Sequence, residues 1–154
     1  MRFDCIGTTI DGEIDIEAPP EKVFDAFTDP EQLEQWWGSE DTYRTSNWKV
    51  DLRPGGAWSC DAVNTDGTQK SMVHGEYIAV DRPRFLEFTW NPSWDVIGPT
   101  NVRLVFEPIP TGTRLRLLHK GFEGFAESQK GHTNGWARVF GWLRDKVQTH
   151  GAKA

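Results

Sequence analysis

The sequence predicts an α+β fold in which a curved antiparallel sheet wraps around one long C-terminal helix, and three observations predict it. Between about Ser46 and His119, short stretches of alternating hydrophobicity are separated by Gly-, Pro- and Asp-rich turns, the pattern of an antiparallel meander. From about His132 to Gln148, Trp136, Val139, Phe140, Leu143 and Val147 recur at three- and four-residue spacings and give a helix one apolar stripe. No linker, repeat or low-complexity segment divides the chain, so residues 1–154 are expected to form a single domain around one core.

The first strand is expected from Thr9 to Ala18. Ile10, Ile14 and Ile16 share one parity while Asp11, Glu13, Asp15 and Glu17 share the other, which describes a strand buried on one side and wet on the other. Pro19 and Pro20 stop it, and Pro20 suits the first position of a helix, where its missing N–H costs nothing. Val23, Phe24 and Phe27 give that helix its apolar side. Asp29-Pro30-Glu31-Gln32 then reads as a second start, with Asp29 as N-cap and Gln32 as capping-box partner, and Gly38 closes the helix after Leu33, Trp36 and Trp37. Two short helices are therefore expected between Pro20 and Trp37. Neighbours on a helix, Trp36 and Trp37 are expected to diverge, one inward and the other towards a pocket mouth or a dimer contact.

The meander follows. Trp48, Val50 and Leu52 alternate with Lys49 and Asp51; Trp58, Cys60 and Ala62 come next, then Lys70 to Val80. Leu86, Phe88 and Trp90 form one inward row, Val102, Leu104 and Phe106 another, and Leu115, Leu117 and His119 the last. In the Lys70–Val80 run, Val73, Gly75 and Tyr77 fall on one face, with His74 and Glu76 as a surface pair on the other; Val80 breaks this parity and implies a bulge or a strand end. Six or seven strands are expected in all.

A net charge of −6 argues against nucleic acid or an anionic membrane as partner. Arg114 and Arg116, the one strand-spaced arginine pair, read as a solvated sheet face. No apolar run approaches the ~20 residues of a membrane span. Without a secretory signal and with only Cys5 and Cys60, a reduced, cytoplasmic protein is expected. Phosphate-binding loops, dinucleotide fingerprints, nucleophile elbows and zinc spacings are all absent from the text, so neither a metal nor a cofactor is expected and no catalytic residue is assigned.

The segments IEAPPEKVFDAFTDPEQLEQWWG, DLRPGGAW, HGEYIAVDRPRFLEFTW, GTRLRLLHKGF and GHTNGWARVFGWL lie between Ile16 and Leu143. They resemble the motifs of the family named for the activator of the heat-shock-protein-90 ATPase. The element order likewise resembles the helix-grip fold of the START-like superfamily (SRPBCC). That resemblance implies a cavity between sheet and long helix, used across the superfamily as a pocket for lipids, hormones or polyketides. It also implies a gating role for a loop such as Gly121 to Gly131, for which an ordinary surface connection is the plainer reading. The namesake co-chaperone carries a separate N-terminal chaperone-binding domain, which Met1 to Thr8 is too short to supply, and this counts against a chaperone partner.

The leading expectation is a binding protein for a small apolar ligand, contacted by Trp48, Trp58, Tyr77, Phe88, Trp90, Leu104, His119, His132, Trp136 and Phe140. His119 continues the inward parity of Leu115 and Leu117, and His132 lies one helical turn before Trp136, so two imidazoles are expected at one end of the groove. The first alternative is an acid–base enzyme of cyclase or dehydratase type using His119 with Tyr77 or His132. Against it stands the plainer view of His119 as a core histidine with satisfied hydrogen bonds. The second alternative is an interaction module, either a homodimer or a co-chaperone-like stress protein.

Overall fold

The acidic parity of the first expected strand shows how one sheet edge is built. In the computed structural model, which describes the backbone of residues 1–153 and the side chains of residues 1–148, β1 (Arg2–Ile6) and β2 (Thr9–Ile16) form a hairpin turned at Gly7, whose φ of 61° suits glycine. The Arg2 guanidinium reaches Asp4, Asp11 and Glu13 at 2.8, 3.0 and 3.2 Å, and Arg114 reaches Asp15 at 2.8 Å. The outer face is thus a lattice of exposed ion pairs, and Arg116, beside Glu107 at 3.4 Å, belongs to it. β1 was not expected from the sequence because its residues, other than the half-buried Phe3, are exposed and show no alternation. Phe3 crosses over Gly12, whose missing side chain leaves room for the ring, and meets Phe140 at 5.3 Å.

The remaining elements are α1 (Pro20–Thr28), α2 (Pro30–Trp36), β3 (Tyr43–Val50), β4 (Ala57–Asn64), β5 (Lys70–Asp81), β6 (Phe85–Pro92), β7 (Thr100–Ile109), β8 (Gly112–Lys120) and α3 (Ala126–Lys153). With β1 added, the single antiparallel sheet has eight strands rather than six or seven, in the order β1-β2-β8-β7-β6-β5-β4-β3. The sheet is curved and unclosed, and with α3 in its concavity the architecture is the helix-grip fold. A register shift between Tyr77 and Ala79 is the bulge that the broken parity implied, with Val73 and Tyr77 buried and His74 and Glu76 exposed. Leu52 leaves the alternation, however, and lies exposed in the turn after β3.

Prolines and one tryptophan settle the two short helices. Asp29 accepts from the Glu31 N–H at 3.0 Å and from the Gln32 side chain at 3.2 Å, as the capping pattern predicts. Within a continuous helix the Ala26 carbonyl would accept from residue 30, but Pro30 has no N–H to give. The Trp36 indole fills that role, donating to the Ala26 oxygen at 2.8 Å in a buried setting. Trp58 is its natural control, because its equally buried Nε1–H has no partner among the described residues. Trp36→Phe orphans a carbonyl and Trp58→Phe orphans nothing, so the first should cost about 1–2 kcal/mol more than the second in urea unfolding. Equal costs would remove the indole as the helix-ending device.

α3 runs for 28 residues, about 42 Å, and begins six residues before His132, where the sequence places its start. Its first turns are polar and include Gly131, so periodicity missed them. They are tied down by side chains: Gln129 donates to the Gly7 and Thr9 carbonyls at 3.1 and 3.2 Å. Residues expected to form a loop up to Gly131 are therefore helical from Ala126 onward, which leaves only a short connection after β8. α3 seats on β1, β2 and α1.

Candidate functional site: a cavity beside a histidine-tied helix

Inward side chains of β3 to β6 divide into two zones. In the first, aromatic rings interlock: Trp48 lies 6.3 Å from Trp58, Trp58 lies 5.5 Å edge-on to Phe88, and Phe88 meets Tyr77 at 6.3 Å. These rings, with Phe27, Leu33, Trp37, Leu86 and Trp90, leave a space of only about 20 Å³, room for roughly one water and nothing larger. Burial pushes the Tyr77 hydroxyl's pKa up.

Two histidines tie α3 across the sheet. An indole N–H can only donate, so the 3.0 Å bond from Trp136 Nε1 makes His119 Nδ1 an acceptor and places the ring proton on Nε2. That N–H donates to Thr100 Oγ1 at 2.6 Å, and the threonine hydroxyl passes its own proton to the Trp90 carbonyl at 3.1 Å. The Trp90 indole donates in turn to His132 Nε2 at 3.1 Å, which puts the second ring's proton on Nδ1, facing the Ser128 carbonyl at 2.9 Å. The chain of bonds therefore leaves α3, crosses β8, β7 and β6, and returns to α3. Burial, followed by the neighbouring His132, holds the His119 pKa well below the usual imidazole value. His132 is lowered too, chiefly by burial and against the Ser128 carbonyl and Asp95, which favour its cation.

The second zone is open. Between α3 and the inner faces of β3, β4 and β5 lies a cavity of about 610 Å³ that reaches the surface, within the usual 300–1,000 Å³ range of small-molecule sites. Trp37, Trp90 and Trp136 form its inner wall, with centroids 5.3–6.2 Å apart. Cys60, Ala62, Ser71 and Val73 form the sheet side. Burial raises the Cys60 pKa to about 12, so its thiol is protonated and inert at neutral pH. On the helix side, Gly131 and Gly135 are one turn apart, and a Cβ added at either would meet open space. Each glycine costs a helix about 1 kcal/mol relative to alanine, and the pair keeps the helix wall thin where the cavity lies.

The family profile described as activator of Hsp90 ATPase homolog 1-like protein matches residues 17–148. The chain belongs to that family. Among solved structures, an AHSA1 protein from Silicibacter pomeroyi is 27% identical, with a TM-score of 0.79 over 92% of this chain and 99% of its own. A protein from Chromobacterium violaceum is 25% identical, with a TM-score of 0.81 over 91% of this chain and 97% of its own. No curated protein matches the chain.

Within this family fold, the residues nominated from sequence fall into three groups. Trp90, His132 and Trp136 line the large cavity. Trp48, Trp58, Tyr77 and Phe88 belong to the interlocked zone, which shares Trp37 and Trp90 with the cavity. Leu104, His119 and Phe140 are fully buried in the core and line neither space, although His119 supports the wall through Trp136. Trp36 and Trp37 are both buried and stacked at 5.4 Å, and Trp37 stands in the cavity wall rather than at an exposed contact. Sequence reasoning missed Tyr43, Ser71, Gly131, Gly135 and Arg138. The signal available was the pair of glycines four apart in a helix that otherwise had reason to avoid them.

Proposed function

We propose that this member of the family binds a small, largely apolar molecule in the cavity between α3 and β3–β5. The observation that carries the reading is the glycine pair Gly131 and Gly135. A helix that needed only to cover the sheet would gain stability and burial from side chains there, whereas this one leaves the volume open against three tryptophans. Family membership and the helix-grip fold support the same reading.

Gly135→Leu tests it. The leucine enters open space and improves helix propensity, so unfolding stability should hold or rise by up to about 1 kcal/mol. Saturable binding of the neutral fluorophore N-phenyl-1-naphthylamine, expected for the native chain, should fall at least tenfold. Absence of binding by the native protein, or equal binding by the variant, would overturn the proposal. Acid–base catalysis finds no support at His119, since both ring nitrogens already hold protein partners.

A further inference from the structure

We infer that the cavity selects an organic anion, an aryl or alkyl carboxylate whose charged end is held by Arg138 and Tyr43 while its apolar body lies against Trp37, Trp90 and Trp136. The inference rests on the binding reading above and specifies the ligand's chemistry. Arg138 lines the cavity and has no carboxylate within 4 Å among the described residues. Seven other arginines, Arg2, Arg44, Arg53, Arg82, Arg103, Arg114 and Arg116, each face an acid, and Arg84 and Arg144, which like Arg138 face none among the described residues, do not line the cavity. In a chain with net charge −6 an unpaired guanidinium at a cavity wall is conspicuous.

Tyr43 supplies the second contact. Its oxygen accepts the Trp37 indole N–H at 3.2 Å, and its own O–H donates to nothing among the described residues. The ring is held edge-on by Trp142 at 5.7 Å, one helical turn beyond Arg138, which sets both groups at the same end of the cavity. A half-buried phenol O–H beside a guanidinium offers two donors and no acceptor of its own to spare, the arrangement a carboxylate satisfies. The other end has the opposite character. Asp95 and Glu127 line it, with Asp95 accepting from Ser128 Oγ and from the Val96 N–H at 2.8 Å. Glu127 and Arg138 are about 16 Å apart along the helix. An amphiphilic anion is thus attracted at one end, repelled at the other, and seated in a single orientation.

Two fluorophores on one skeleton test this: 1-anilinonaphthalene-8-sulfonate, an anion, and N-phenyl-1-naphthylamine, which lacks the sulfonate. The native chain should bind the anion more tightly than the neutral probe. Arg138→Gln should weaken the anion about tenfold, Tyr43→Phe several-fold, and neither should change the neutral probe more than twofold. Gly135→Leu should weaken both, which locates them in the cavity. If Arg138→Gln and Tyr43→Phe bind the anion like the native chain while the neutral probe still binds, the anion assignment falls and the cavity reading stands. If neither probe binds the native protein, both fall.

Discussion

His119→Ala should lower the unfolding free energy by about 3–4 kcal/mol, from large-to-small core losses plus an orphaned donor. The imidazole is fully buried, so its removal leaves a hole that the strands cannot close. The Trp136 indole N–H then loses its acceptor inside the core, and Thr100 Oγ1 loses its donor. A buried unpaired donor alone costs about 1–3 kcal/mol. Urea unfolding measures the effect, with exposed His74, whose side chain among the described residues hydrogen-bonds only to Asn91, at 3.4 Å, as control; His74→Ala should stay within about 0.5 kcal/mol. The outcome separates two roles for His119. A structural tie predicts a stability loss, with binding affected only as far as Trp136 moves. A catalytic acid or base predicts lost turnover with stability kept, and a stability change below about 1 kcal/mol would reject the tie.

The same residue shows how far sequence reasoning reaches. Parity along β8 was enough to place His119 inward, because a strand's side-chain period is fixed at two and Leu115 and Leu117 set the phase. Parity gave direction but no partner. That His119 would meet Trp136 depends on where α3 lies over the sheet, and that it would meet Thr100 depends on the register of β8 with β7, both of which tertiary packing sets. The bulge after Tyr77 was legible for the same reason as the strand, since a break in period is itself a local signal. β1 was not: a short exposed edge strand has no buried face to write into its sequence. The cavity was hardest to foresee. Aromatic residues at inward positions announce burial, and in β3 to β6 most of them plug the space they were expected to frame. The open volume is made instead by what is missing, at Gly131, Gly135, Ala62 and Ser71. Gly131 reads as the end of a loop until the helix is seen to run through it, and Gly135, inside the expected helix, carries no side chain to mark a face.

Acidification should destabilise the protein between about pH 6.5 and 5, before its carboxylates matter. In the unfolded chain both histidines take a proton near pH 6.5, whereas burial lowers both folded pKa values, that of His119 the further. A depressed imidazole is a base the folded state keeps neutral, so below about pH 6.5 the unfolded state binds more protons and stability falls as pH falls. Above that pH the contribution is constant. Each histidine adds a slope of up to about 1.4 kcal/mol per pH unit until its folded pKa is reached, so the pair should remove at most about 2.7 kcal/mol between pH 7.5 and 5.5. Asp15 and Asp66 act in the same direction, but their depressed pKa values matter only below the unfolded carboxylate range near pH 4. His132 should take its proton first, because Asp95 and the Ser128 carbonyl favour its cation. The Trp90 N–H then loses its acceptor, and the chain of bonds opens at the cavity wall. Urea unfolding across this pH range should give a slope that roughly halves in His132→Gln, whose amide oxygen can accept from Trp90 without titrating. A flat profile in the native chain would mean that the two imidazoles take protons in the folded state as readily as in the unfolded chain, so that burial and the indole N–H donors do not hold them neutral.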